Sequence, residues 1–150
     1  MTVTDAELAG QPAAYWTGVA YESLIAFTRA RQAEHGYTQP QFWLLRHLSP
    51  SDLSPDGQGR TVDELRHEMR SYLRAEDDLA AEAEVLVDRG WLRLDGDDGR
   101  LWITEAGEAA RVELKGYAPE IRRQIHEGID DADYVVALKV LQRLIGNTQG

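Results

Sequence analysis

The chain has 150 residues, 43% of them hydrophobic, a formal net charge of −10 and no cysteine. This length suits a single domain, and the lack of cysteine excludes disulfides, thiol nucleophiles and cysteine zinc sites and favours a cytoplasmic protein. No apolar run is long enough to predict a membrane span, and the N-terminus lacks the basic and apolar parts of a secretory leader.

The first predicted helix runs from Pro12 to about Glu34. Its apolar residues recur at three- and four-residue spacing, which is typical of a helix with one buried face: Tyr15, Trp16, Val19, Ala20, Leu24 and Phe27. The stripe is wide, so we expect the first half of this helix to be buried on more than one side. Residues 1–11 are polar or small and are predicted to be frayed.

Gly36 is expected to end the first helix in the manner of a C-terminal glycine. A second helix then begins at Thr38, which is a good N-cap, with Pro40 in its first turn. The apolar face of this helix consists of Phe42, Leu44, Leu45 and Leu48. Residues 49–59 are rich in Pro, Gly, Asp and Ser and are predicted to form a loop.

The third helix is predicted to begin at Thr61, where Thr61 and Glu64 have the spacing of a capping box. Residues 71–74 form the predicted turn to a fourth helix, which runs from about Ala75 to Arg89 and ends at Gly90. The apolar line of the fourth helix consists of Leu79, Ala83 and Leu86.

Two β-prone runs, residues 91–94 and 101–104, flank the sequence DGDDGR and predict a hairpin. Thr104 is then expected to cap another helix, and a final helix follows Asp131. The stripe of this final helix consists of Tyr134, Leu138, Leu141 and Ile145. The predicted fold class is therefore mainly α with a small β-hairpin.

Helix, turn, helix and hairpin in this order are the signature of a winged helix-turn-helix. The strings YTQPQFWLLRHLS, TVDELRHEM, VLVDRGWLRL and DGDDGRLWITEAGEAA resemble the MarR family of dimeric transcriptional regulators, and the resemblance covers about Ala13 to Asn147. It implies one domain over 1–150, with a winged helix-turn-helix region at 38–104 flanked by N- and C-terminal dimerisation helices at 12–35 and 105–147.

The resemblance implies a homodimeric, DNA-binding transcriptional regulator, with the fourth helix in the major groove and the hairpin wing at the minor groove or backbone. Its expected partners are double-stranded DNA, a second copy of itself and a small aromatic effector. Since the sequence has no nucleophile motif, phosphate loop or paired His/Glu motif, we expect neither an enzyme nor a cofactor, and no catalytic residue is assigned.

The predicted recognition helix is atypically acidic, because it carries Glu76, Asp77, Asp78, Glu82, Glu84 and Asp88. Residues 38–104 contain 8 basic and 14 acidic side chains, a balance of 8 − 14 = −6, whereas DNA binding by counterion release requires clustered positive charge. Carboxylates can accept from cytosine N4, and near a helix N-terminus they also stabilise the helix dipole. The alternative function is therefore a winged-helix scaffold that has lost DNA binding and acts through protein–protein contacts.

The candidate DNA contacts are the cations and polar groups around the turn and the wing, together with two carboxylates at the start of the recognition helix: Arg70, Arg74, Arg93, Arg100, Ser71, Tyr72, Gln39, Asp77 and Asp78. Each arginine has two interpretations, phosphate contact or ion pairing with nearby acids. Ion pairing is favoured for Arg70 and Arg93, and DNA contact for Arg74 and Arg100. For Ser71, Tyr72 and Gln39 the alternative is a cap or a surface position.

The resemblance also implies an effector site near the junction of the dimer helices and the winged domain. The candidate ligand-binding residues there are Tyr15, Trp16, Trp43 and His47, with core packing as the alternative. The four histidines have no metal-ligand spacing, so no metal site is predicted.

Overall fold

The computed structural model describes residues 2–150. Eight helices and two strands follow in the order α1 (Asp5–Ala9), α2 (Ala13–Glu34), α3 (Gln39–Leu48), α4 (Val62–Glu68), α5 (Leu79–Asp88), β1 (Leu92–Asp95), β2 (Arg100–Ile103), α6 (Glu105–Lys115), α7 (Ala118–Ile125) and α8 (Asp131–Thr148). The strands pair antiparallel, with Leu92 opposite Ile103 and Asp95 opposite Arg100. The predicted fold class, mainly α with one hairpin, is confirmed.

The chain divides into two compact units, residues 1–117 and residues 118–150. The first unit contains α1 to α6 and the hairpin, and the second contains α7 and α8. Within residues 2–150, no helix combines the length and the apolar character that crossing a membrane would require.

Threonine caps set the starts of the winged-helix elements. Thr38 Oγ1 accepts from the amide of Gln41 at 3.2 Å, and Gln41 Oε1 accepts from the amide of Thr38 at 3.1 Å, which closes a capping box. Gly36 before it has a φ of 82°, as expected of a glycine that ends a helix. These local signals explain why α2 ends and α3 begins where the sequence predicted.

The capping box predicted for α4 forms only in part. Thr61 Oγ1 accepts from the amide of Glu64 at 3.1 Å. The return bond from Glu64 is replaced by an ion pair, in which Glu64 Oε1 lies 3.3 Å from Arg100 Nη1 on the hairpin. The carboxylate that was expected to cap α4 therefore links this helix to the wing instead.

The N-terminal segment contains a helix that the sequence analysis did not predict. Thr4 Oγ1 accepts from the amide of Glu7 at 3.1 Å, and Glu7 Oε2 accepts from the amide of Thr4 at 3.0 Å. This capping box starts α1, all of whose residues are exposed. Local capping, not burial, therefore holds this short helix.

The core of the first unit lies between α3, α4, α5, α6 and the hairpin. Its fully buried side chains are Leu44, Leu45, Leu65, Met69, Leu79, Leu86 and Leu101. The predicted inner line of α5 is confirmed, since Ala83 is also buried. This core fixes one side of α5 and leaves the opposite side facing outward.

The expectation that the first half of α2 is buried on more than one side is wrong for the single chain. Five of its large side chains are exposed: Tyr15, Trp16, Val19, Tyr21 and Leu24. Burial on α2 falls in its C-terminal half instead, where Gln32 is buried and Phe27 is half-buried. The N-terminal half of the helix therefore presents apolar surface to solvent.

Helix α8 also presents apolar surface to solvent, over its whole length. None of its residues is buried, and its exposed apolar side chains include Tyr134, Val135, Val136, Leu138, Val140, Leu144 and Ile145. Contiguous exposed apolar side chains of this kind are typical of interaction sites.

Candidate nucleic-acid interface

The predicted recognition helix, α5, begins four residues later than the sequence predicted. Asp78 is the N-cap of α5, because its Oδ1 accepts from the amide of Ala81 at 3.1 Å. Residues 74–77 form a separate turn, in which the amide of Asp77 donates to the carbonyl of Arg74 at 3.0 Å and Asp77 Oδ2 accepts from the amide of Arg74 at 2.9 Å. Glu76 and Asp77 therefore lie before the helix, and the predicted start at Ala75 is wrong.

Asp77 is held by an arginine of α2. Arg29 Nη1 and Nη2 donate to the two Asp77 carboxylate oxygens at 2.8 and 3.0 Å, and only 5% of the Asp77 side chain is exposed. Arg29 Nε also donates to Gln39 Oε1 at 3.0 Å. Two candidate DNA contacts, Asp77 and Gln39, thus have their polar groups occupied by Arg29, which ties the turn and the start of α3 to α2.

Burial alone would raise the pKa of Asp77, but the hydrogen bonds from Arg29 and from the Arg74 amide outweigh it and lower that pKa. A carboxyl with a lowered folded-state pKa stabilises the fold above its unfolded pKa of about 3.9, and this stabilisation is lost as the pH falls through the folded-state value.

We therefore expect Asp77→Asn to reduce the free energy of unfolding at pH 7 by about 2 kcal/mol, because the paired charge is removed and Arg29 loses its partner. The difference in the free energy of unfolding between the variant and the wild type should become smaller below about pH 4. Urea unfolding at pH 7 and pH 3 measures both effects. Asp78→Asn is the matched control, since Asn is an equally good N-cap, and equal losses for both variants would contradict the assignment.

Two arginines expected to contact DNA are paired with carboxylates. Arg74 Nε lies 2.8 Å from Glu76 Oε1, and its Nη2 lies 2.8 Å from Glu22 Oε2 on α2. Arg100 Nη1 donates to the carbonyl of Gly59 at 2.8 Å and lies 3.3 Å from Glu64. Ion pairing, which the sequence favoured for Arg70 and Arg93, is therefore found at Arg74 and Arg100 instead.

The two arginines expected to form ion pairs have no carboxylate within 4.0 Å among residues 2–150. Arg70 is exposed and its Nη1 donates to the carbonyl of His67 at 2.6 Å. Arg93, on β1, is exposed and its guanidinium lies 5.6 Å from the centre of the Trp102 ring. The unneutralised cations of the turn and the wing are therefore Arg70 and Arg93.

Tyr72, in the turn, joins two residues proposed for an effector site. Its ring lies 4.7 Å from that of Trp43 and 5.9 Å from that of His47, and its hydroxyl is hydrogen-bonded to His47 Nε2. His47 Nδ1 lies 3.2 Å from Glu68 Oε2, and burial lowers the pKa of His47 against the opposing effect of Glu68. The Tyr72 hydroxyl is thus engaged internally, whereas the neighbouring Ser71 is exposed.

The other two effector candidates form a second pair at the start of α2. Tyr15 and Trp16 lie edge to face, with ring centres 5.2 Å apart. Trp16 Nε1 donates to Gln11 Oε1 at 2.7 Å, and both rings are exposed. The structure therefore places the four candidates in two separate pairs, one exposed and one half-buried.

The outward face of α5 carries fewer carboxylates than the sequence suggested. Glu82 accepts a hydrogen bond from the Thr38 hydroxyl, and Glu76 lies before the helix and pairs with Arg74. The exposed residues within α5 are Ala81, Glu84, Val85 and Asp88. Together with the cap Asp78, three carboxylates remain on this side.

A cleft of about 650 Å³ separates this face from the hairpin. It is lined by Val62, Asp78, Ala80, Ala81, Ala83, Glu84, Val87, Asp88, Leu94 and Leu101. Apolar side chains predominate, three carboxylates are present, and no Lys, Arg or His among residues 2–150 lines the cleft. Sequence reasoning missed this cleft, because the hairpin residues that complete its lining, Leu94 and Leu101, are brought next to α5 only by the fold.

The sequence matches no family model and no curated protein sequence. The fold, in contrast, is similar to that of many solved structures. A mutant of Escherichia coli MarR superimposes with a TM-score of 0.66 at 14% identity, covering 90% of this chain and 97% of that one. These values show a shared fold.

Two other similar structures belong to proteins that bind or respond to a small molecule. A MarR family protein of Mycobacterium tuberculosis, in complex with p-aminosalicylic acid, gives a TM-score of 0.64 at 17% identity over 89% of this chain and 98% of that one. The DNA binding of BpsR of Bordetella bronchiseptica is regulated by 6-hydroxynicotinic acid. Its structure gives a TM-score of 0.63 at 18% identity over 95% of this chain and 98% of that one. The predicted winged-helix fold of the MarR type is therefore confirmed.

Proposed function

We propose that this chain, which has the fold of the MarR-type regulators, is a cytoplasmic, homodimeric transcriptional regulator that binds double-stranded DNA. The observation that carries the proposal is the combination of an intact winged helix with two long helices, α2 and α8, that expose apolar faces. Two winged helices in a symmetric dimer would contact half-sites about one DNA turn apart. Selection of bound duplexes from a random pool by the full-length protein tests the proposal.

Dimerisation follows from the exposed apolar faces of α2 and α8. Single exposed apolar residues are ordinary, but contiguous apolar surface marks an interaction site. Closed symmetric pairs are the commonest way in which soluble chains cover such surface. A second copy of this chain is therefore the proposed partner of both helices.

Phosphate contact is assigned first to Arg70 and Arg93, because these cations are exposed and have no carboxylate partner in the described chain. The exposed Ser71 hydroxyl adjoins Arg70 and supplies a neutral donor. Arg74 and Arg100 would have to exchange a carboxylate for a phosphate, so their contribution is smaller. Asp77, Gln39 and Tyr72 act by positioning the turn, whereas Asp78 caps the recognition helix.

We expect Arg70→Ala and Arg93→Ala each to weaken binding to all duplexes and to flatten its salt dependence. Each lost phosphate contact lowers the slope of log K against log salt by about 0.9, so a dimer with two equivalent contacts loses about 1.8. Fluorescence anisotropy at several salt concentrations measures the slope. Arg123→Ala on α7 removes the same charge and is the control, and an unchanged slope in both test variants would contradict the assignment.

A small aromatic effector is the proposed regulator, since two proteins of the same fold are reported with p-aminosalicylic acid and 6-hydroxynicotinic acid. The pair formed by Trp43 and His47 is half-buried beside the Tyr72 turn, and the pair formed by Tyr15 and Trp16 is exposed on α2. A ligand at the first pair would contact the segment that leads into α5.

The second candidate function is a scaffold that no longer binds DNA, and one observation favours it. The cleft between α5 and the hairpin carries Asp78, Glu84 and Asp88 and no cation, which disfavours a sugar–phosphate strand there. Failure of the protein to retain any duplex at low salt, while it remains dimeric, would support the scaffold over the regulator.

A further inference from the structure

The outward face of α5 has an unusual chemical composition for a DNA-reading helix. Leu79, Ala83 and Leu86 face the core. At 100° per residue the opposite side of the helix is centred on Ala81 and Asp88, and Glu84 and Val85 flank this centre on either side. All four are exposed, and 37% of Val85 is accessible. This face presents methyl groups and two carboxylates, but no hydrogen-bond donor.

A face without donors can read only part of the major-groove code. Guanine presents two acceptors, N7 and O6, which an ionised carboxylate cannot pair with because it only accepts. Thymine presents the C5-methyl group, which apolar side chains such as alanine contact. The side chains of Ala81 and Val85 are one helical turn apart, so both can reach the base edges of one strand.

We propose that Ala81 and Val85 determine operator specificity by packing against thymine C5-methyl groups in the major groove. This inference rests on the proposed DNA-binding function and deepens it. Glu84 and Asp88, as acceptors, disfavour guanine edges at neighbouring positions. The small residues of the helix allow the close approach that methyl contact requires, while Arg70 and Arg93 hold the phosphates from the turn and the wing.

The test uses the full-length protein and the duplex that it enriches from a random pool. Thymines in each half-site are replaced one at a time by deoxyuridine, which removes only the C5-methyl group. At each contacted thymine we expect the affinity to fall about 4-fold, the effect of burying one methyl group. Replacement of thymines outside the half-sites should leave the affinity unchanged.

Val85→Ala removes two methyl groups from the helix. It should weaken binding to the thymine duplex and abolish the loss on deoxyuridine substitution at one position. Val112→Ala is the matched control, since Val112 is an exposed valine on α6. This variant should keep the wild-type affinity for the thymine duplex and the wild-type loss of affinity on deoxyuridine substitution. A circular dichroism spectrum equal to that of wild type excludes misfolding of either variant.

The outcomes separate this inference from the function on which it rests. If no duplex is retained at low salt, both are overturned. If an enriched duplex binds equally well with thymine and deoxyuridine throughout, DNA binding stands and the methyl contact is overturned. If Val85→Ala weakens the thymine and deoxyuridine duplexes by the same factor, Val85 does not contact a methyl group.

Discussion

Replacing Leu138 by Asp is expected to convert the protein from a dimer into a monomer. Leu138 lies on the predicted stripe of α8, and 40% of it is exposed in the single chain. In a symmetric dimer the substitution would bury an unpaired carboxylate twice, because each copy contributes one. A cost of about 3 kcal/mol corresponds to more than about a hundredfold in the dissociation constant.

Sedimentation velocity at micromolar concentration measures this change, and circular dichroism checks that helix content is retained. Val112→Asp is the matched control, because Val112 is 62% exposed and belongs to α6, not to α2 or α8, the helices proposed to form the interface. A wild-type protein that sediments as a monomer throughout this range would remove the basis of the proposed dimer. A dimeric Leu138→Asp variant would move the interface to another surface.

The helices and caps of the winged region were predictable because their signals are local. Thr38, Thr61 and Thr104 each accept from the amide three residues later, which the sequence spacing indicates directly. The inner face of α5 was predictable for the same reason, because the helical spacing of the apolar residues places Leu79 and Leu86 on one side.

The start of the recognition helix was not predictable, because it depends on a distant residue. Glu76, Asp77 and Asp78 are all plausible at a helix N-terminus. Arg29, 48 positions away, selects among them by holding both Asp77 oxygens, which leaves Asp78 as the cap. The local sequence pattern alone therefore does not indicate which of the three residues caps the helix.

The roles of the arginines were hidden for a related reason. Arg74 pairs with Glu22, which is 52 positions away, whereas Arg70 has Glu68 nearby in sequence but does not pair with it. Proximity along the chain therefore predicted the wrong ion pairs. In this protein a tertiary contact with α2 neutralises Arg74, whereas Arg70 has no carboxylate within 4.0 Å among residues 2–150.

Replacing Gly107 by Ala should strongly destabilise the winged region. A Cβ atom at this position would lie 2.0 Å from the carbonyl oxygen of Trp91 and 2.8 Å from Ile103 Cγ1. The Trp91 carbonyl cannot yield easily, because it accepts from the amide of Thr104 at 3.1 Å. Thr104 in turn accepts from the amide of Gly107 at 3.0 Å and donates to the carbonyl of Gly90 at 2.7 Å.

The glycine in the string TEAG therefore allows the first turn of α6 to lie against the backbone that joins α5 to β1. We expect Gly107→Ala to cost about 3 kcal/mol, since backbone must move to admit the methyl group, and to lower the melting temperature by roughly 6–12 °C. Gly96→Ala in the hairpin turn is the control, because a Cβ there contacts nothing within 4 Å, and it should change stability by less than about 0.5 kcal/mol. Differential scanning calorimetry compares the two variants, and equal melting temperatures would contradict the close approach.

Because the displaced backbone also carries the wing, any Gly107→Ala protein that still folds should bind DNA more weakly than the Gly96→Ala control at the same salt concentration.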